Sequence, residues 1–101
     1  MKKLFISQPM KGRSNEEILK ERIKAIENVK EEYKNEEIIV LDSFFEDAPH
    51  DAKPLWFLGK SIEKLAEADI AYFCKGWDDT RGCRIEHMCA VLYNIDEIIC
   101  I

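Results

Sequence analysis

Four short apolar runs alternate along this chain with three stretches whose apolar residues recur at helical spacing. That alternation limits the fold more than any other feature. The runs are KLFIS (3–7), EIIVL (37–41), DIAYFC (69–74) and EIICI (97–101). Between the first two, SNEE offers a capping box, with Ser14 as N-cap and Glu17 three residues on. Ile18, Leu19, Ile23, Ile26 and Tyr33 follow among Lys and Glu, so an amphipathic helix is predicted over 15–34. Pro54 suits the first turn of a second helix, PLWFLGKSIEKLAEA (54–68), and CRIEHMCAVLYN (83–94) reads as a third.

The order β-α-β-α-β-α-β requires right-handed crossovers and a parallel sheet with helices on both faces. The expected fold is a single α/β domain over 1–101. It is a Rossmann/flavodoxin-like three-layer sandwich with a mainly parallel four-stranded sheet. EIIVL is apolar on both faces and is expected inside the sheet. Ligands of such folds sit beyond the carboxyl ends of the strands, near the switch point of strand order. Three loops, 7–14, 42–53 and 75–82, should meet there, with Glu86 in the first turn of the helix that follows the last.

Composition narrows the partners. Fifteen Lys+Arg against 20 Asp+Glu leave a net charge of −5, which argues against a nucleic-acid partner because phosphate binding favours a basic face. No long apolar run or signal segment is present, so no membrane partner is expected and the cytoplasm is the default location. The cysteines at 74, 83, 89 and 100 form no CxxC pair. They read as buried thiols. Cys83 and His87 are four apart, but two ligands are too few for a metal site, and none is expected.

The loops carry the chemistry. SQPMKGRS (7–14) has a glycine, small or polar residues and two cations, Lys11 and Arg13, ahead of a helix. Backbone amides there can cradle an anion; an ordinary tight turn is the other reading. GWDDTRG (76–82) supplies Trp77 as a stacking surface or a packing residue, Thr80 as a hydroxyl and Gly82 for close backbone approach. Glu86, taken alone, is either a first-turn acid favoured by the helix dipole or a presented carboxylate.

LFISQPMKGRS, SIEKLAEADIAYF and TRGCRIEHMCA together resemble the nucleoside 2-deoxyribosyltransferase superfamily, over essentially the whole chain. The likeness is strongest to a short branch, found in bacteria and phages, related to 2′-deoxynucleoside 5′-phosphate N-hydrolases. It implies that Glu86 attacks the anomeric carbon of a nucleoside. The base leaves, and another base or water resolves the glycosyl-enzyme. It also implies that Ser7, Gln8, Pro9, Met10, Gly12 and Arg13, with Thr80 and Gly82, hold substrate or its 5′-phosphate. No cofactor is implied. The transferases complete each pocket from a neighbouring subunit, so a homodimer or higher homo-oligomer is expected, with CAVLY (89–93) a candidate interface.

Two departures from the family pattern matter. The hydrolases carry an acidic Asp eight residues before the Ala-Asp pair, where this chain has Ser61, which can only hydrogen-bond near neutral pH. Asp78, Asp79 and Asp47 are the candidate replacements. Arg84 stands where small or apolar residues are usual, placed to pair with Glu86 or to grip a phosphate. Asp69 is expected to be structural, His87 to be structural or at a subunit contact, and His50 to face ligand. Two functions follow as expectations. One is an N-glycosidase or deoxyribosyltransferase acting on a (deoxy)nucleoside or its monophosphate. The other is a non-catalytic nucleotide-binding or sequestering module.

Overall fold

The computed structural model describes residues 1–100. Its elements are β1 (Lys2–Ser7), α1 (Asn15–Glu32), β2 (Ile38–Val40), α2 (Pro54–Leu65), β3 (Ile70–Phe73), a 3-10 turn at Trp77–Asp79, α3 (Arg81–Leu92) and β4 (Asp96–Ile99). Ile101, the last residue of the fourth apolar run, lies outside the described residues. The four strands form one all-parallel sheet in the order β2-β1-β3-β4. The fold is therefore the expected α/β arrangement of a four-stranded sheet and three helices, compatible with a Rossmann/flavodoxin-like three-layer sandwich.

Strand parity divides the core. Leu4, Ile6, Ile70 and Tyr72 pack with Ala25 and Val29 of α1. Their neighbours Phe5, Ala71 and Phe73 pack on the other face with Leu65 of α2 and Ala90 of α3. Successive strand residues point to opposite faces, so one apolar run serves both layers. Phe5 and Phe73 are almost fully buried, and removing either ring would cost about 3–5 kcal/mol.

Two expectations fail here. EIIVL is not internal: β2 is an edge strand, with Ile39 and Val40 38% and 37% exposed. Its apolar character on both faces does not reveal its place, because β1 pairs with β3 on its other side and no strand remains to flank β2. The stripe of α1 matches the predicted one only in part. Ile18 is buried and Ile26 and Tyr33 pack against the core as expected, but Arg22, Ala25 and Val29 complete the stripe, while Leu19 and Ile23 are exposed. An arginine within the stripe hid the rest of it.

The capping box forms as read. Glu17 N–H donates to Ser14 Oγ at 3.1 Å, and Ser14 N–H reaches Glu17 Oε1 at 3.5 Å. Asp69 is structural: its Oδ2 accepts from Lys3 N–H at 2.8 Å, and its own N–H donates to the Lys3 carbonyl at 2.8 Å, tying the starts of β1 and β3.

Candidate active site

The parity that sorts the core also builds the site. Ser7 ends β1 and Gln8 follows it, the two side chains turning to opposite faces of the sheet. Ser7 turns toward the α2–α3 layer, where its hydroxyl donates to Glu86 Oε1 at 2.7 Å. Gln8 turns toward α1, its Nε2 donating to the Ile18 carbonyl at 2.8 Å and to Glu21 Oε1 at 2.9 Å. Between β1 and β3 the chain leaves one strand for one face and the next strand for the other. This is the switch point at which open α/β sheets bind ligands.

Glu86 is not a first-turn residue. α3 begins at Arg81, two residues earlier than the apolar pattern suggested, which makes Glu86 its sixth residue and leaves no acid in the first turn. Its carboxylate therefore does not meet the free amides of the helix start. It is 7% exposed, and burial pushes its carboxyl above the ordinary range, while the hydroxyls of Ser7 and Ser61 pull it back toward ionisation. Ser61 of α2 thus lies near Glu86 as a hydroxyl that favours its ionised form, not as an acid. Cys83, one turn before Glu86, lies beside Ser7, and burial pushes its thiol up to about 11. A thiol so raised stays protonated at neutral pH and is no nucleophile. Glu86 is left as the buried carboxyl group of the site.

The first loop is braced rather than open. Met10–Arg13 is a turn closed by Arg13 N–H to the Met10 carbonyl at 3.2 Å, with Gly12 at φ +78° as a type II turn requires. A side chain on Gly12 would meet open space, so its glycine serves the backbone conformation. Arg13 Nη1 donates to Glu21 Oε1 at 2.7 Å and to the Pro9 carbonyl at 2.9 Å, so this cation already has a carboxylate partner. Gly76, at φ +91°, turns the chain out of β3; a Cβ there would lie 3.5 Å from Pro9, bringing the first and third loops into contact.

The other expected residues scatter. Trp77 packs into the structure: it lies 4.3 Å from the His87 ring and 5.8 Å from Phe73, centroid to centroid. His87 is a structural residue, its Nε2 also 2.8 Å from Glu97 Oε2. Cys83 and His87 therefore turn to different surroundings, and no cluster of three or more metal-binding side chains occurs among the described residues. Thr80 Oγ1 donates to the Gly76 carbonyl at 3.0 Å rather than capping α3. The Arg81, Gly82 and Cys83 amides are then left to solvent or a ligand. Met10 is half-buried and Gly82 would give a Cβ open space. Arg84, Asp78, Asp79, Asp47 and His50 are exposed, and among the described residues Arg84 makes no ion pair with Glu86.

Several site residues escaped the sequence reading. Arg22 is buried on the α1 stripe. Its Nη1 donates to Ser43 Oγ at 3.2 Å and Gln8 Oε1 at 3.4 Å, and Ser43 in turn donates to the Ile6 carbonyl at 2.9 Å. Burial lowers the Arg22 guanidinium from its ordinary value, against the favourable field of Asp42. The signal was available: Arg22 falls four residues after Ile18 and three before Ala25, a cation in an apolar row.

Beyond β2, the 42–53 loop and the start of α2 enclose an open cleft of about 420 Å³. Phe44, Phe45 and Trp56 line it with Asp42, Glu46 and Asp47. Phe45 and Trp56 meet edge to face, centroids 6.1 Å apart. Trp56 precedes Ser61 by five residues, about 7.5 Å along the helix axis. A larger hollow of about 730 Å³ between Leu65, Cys89 and Ile95 opens at the amino ends of the strands, away from Glu86.

Fold and site together define a small parallel α/β domain that presents a buried, hydroxyl-held carboxylate at its switch point. No family model matches the chain, and no curated protein matches it either. No helix among the described residues is long and apolar enough to cross a membrane.

Proposed function

We propose that this protein is an N-glycosidase or deoxyribosyltransferase that breaks the base–sugar bond of a (deoxy)nucleoside or its 5′-monophosphate, with Glu86 as nucleophile. The observation that carries the reading is the environment of Glu86. A buried carboxylate is costly unless paired, and this one accepts from the Ser7 hydroxyl, with no cation in contact among the described residues. A purely structural glutamate at this position has no evident use. A perturbed acid facing the convergence of ligand loops fits a catalytic role.

In the proposed reaction Glu86 attacks C1′ as the base departs, and water or a second base then displaces the glycosyl ester with retention. The open amides of Arg81, Gly82 and Cys83 suit a 5′-phosphate, supported by the exposed Lys11 and Arg84. Arg13, paired with Glu21, orders the loop.

The second reading is a module that binds a nucleotide without turnover. The replacement of a carboxylic acid by Ser61 favours it. Incubation with deoxynucleosides and their monophosphates, followed by chromatography for free base, separates the two. Base release that disappears in Glu86→Ala supports the glycosidase. Ligand-dependent thermal stabilisation without release, retained in the variant, supports binding alone.

We further propose a homodimer through α3. Met88 and Leu92 are 62% and 68% exposed, and Val91 and Tyr93 are also exposed. Such an apolar surface is a common mark of association.

A further inference from the structure

We infer that the preferred substrate is a nucleoside or nucleotide whose base already carries a positive charge, such as a pyridinium or N7-alkylpurinium glycoside. This deepens, and rests on, the reading of Glu86 as nucleophile.

The first ground is the missing acid. The side-chain partner of Glu86 is a hydroxyl, that of Ser7, and the nearby side chain of Ser61 offers only another. Asp78 and Asp79 stand exposed on the 3-10 turn, and Asp47 lines the cleft. A neutral base must be protonated as it leaves, and a positioned acid contributes about 10²–10⁴-fold to such a step. A serine hydroxyl cannot supply that proton near neutral pH. A cationic base needs none.

The electron count closes without a co-reactant other than water. A Glu86 oxygen bonds to C1′ while the C1′–N⁺ bond breaks, and its electron pair neutralises the ring nitrogen. The base leaves uncharged. Water then attacks C1′, the C1′–O bond pair returns to the Glu86 carboxylate, and the proton of water goes to solvent.

The second ground is the cleft. It lies on the same carboxyl side of the sheet, its wall Trp56 on the helix that carries Ser61. Its lining combines three aromatic rings with three carboxylates and no basic side chain. Flat cations are attracted by ring faces and by nearby carboxylates. An uncharged base would gain the stacking and lose the rest.

The test uses two matched pairs. One is 7-methyl-2′-deoxyguanosine 5′-monophosphate against its unmethylated parent; the other is nicotinamide mononucleotide against its uncharged dihydro form. We expect kcat/KM at least about 100-fold higher for the cationic member of one or both pairs. The pair that responds identifies the ring type. Binding to Glu86→Gln should favour the same cation at least about tenfold, and Glu46→Gln with Asp47→Asn should abolish that preference.

Equal or faster cleavage of the neutral members, lost in Glu86→Gln, would overturn the inference and leave the nucleophile standing. Faster cleavage of the cations without any binding preference would also overturn it, since the effect would then be substrate lability. Cleavage of no compound would end both readings.

Discussion

Ser7 and Glu86, 79 residues apart in sequence, meet at 2.7 Å with the serine hydroxyl donating to a carboxylate buried at the switch point. The bond favours the ionised glutamate, against a burial that favours the protonated one. Ser7→Ala should therefore raise the Glu86 pKa further. The acidic limb of kcat/KM should move to higher pH, with activity near pH 6 falling more than activity near pH 8. A pH–rate profile checks this, and an unmoved limb would show that Ser7 does not tune Glu86.

Glu86 also sets a pH dependence of stability. Its folded-state pKa lies above the ordinary carboxyl value, so the folded chain holds this proton more tightly than the unfolded chain does. That contribution is complete below the ordinary carboxyl range and is lost as pH rises through the raised folded value. Glu86→Gln should match the wild type at acidic pH and exceed it in Tm as pH rises toward neutrality. Thermal melts across pH 4–8 measure it; a wild type that gains on the variant as pH rises would contradict the assignment.

Arg22 holds Gln8 and Ser43 in place from within the α1 stripe. Arg22→Ala would leave a cavity and two poorly satisfied polar groups, and should destabilise by about 2–4 kcal/mol in urea denaturation. A loss below 1 kcal/mol would mean that the network reorganises freely.

The apolar stripe of α3 gives a separate test. Met88→Glu with Leu92→Glu places two charges on exposed positions. Circular dichroism should be unchanged, while sedimentation should shift from dimer to monomer. A wild type that already sediments as a monomer refutes the proposed interface.

Much of the architecture was legible because its signals are local. Helical periodicity, the Ser14–Glu17 box and Pro54 at the start of α2 each act within a few residues, and backbone geometry alone turns them into elements. The alternation of those elements then demanded a parallel sheet. The stripe of α1 was misread at Leu19 and Ile23 because burial depends on what the helix meets: Arg22 is buried where polar acceptors await it, and Ile23 next to it faces solvent.

The site divides along the same line. The sequence by itself determined that three loops gather at the carboxyl edge and that Glu86 follows the last of them. Only the tertiary structure decided that β2 is an edge strand, that Trp77 packs against His87, that Arg13 answers Glu21, and that Glu86 lies in the second turn of α3 against Ser7. Those outcomes depend on strand order, strand parity and the start of a helix. Each is settled by contacts between residues far apart in the chain, which no local pattern encodes.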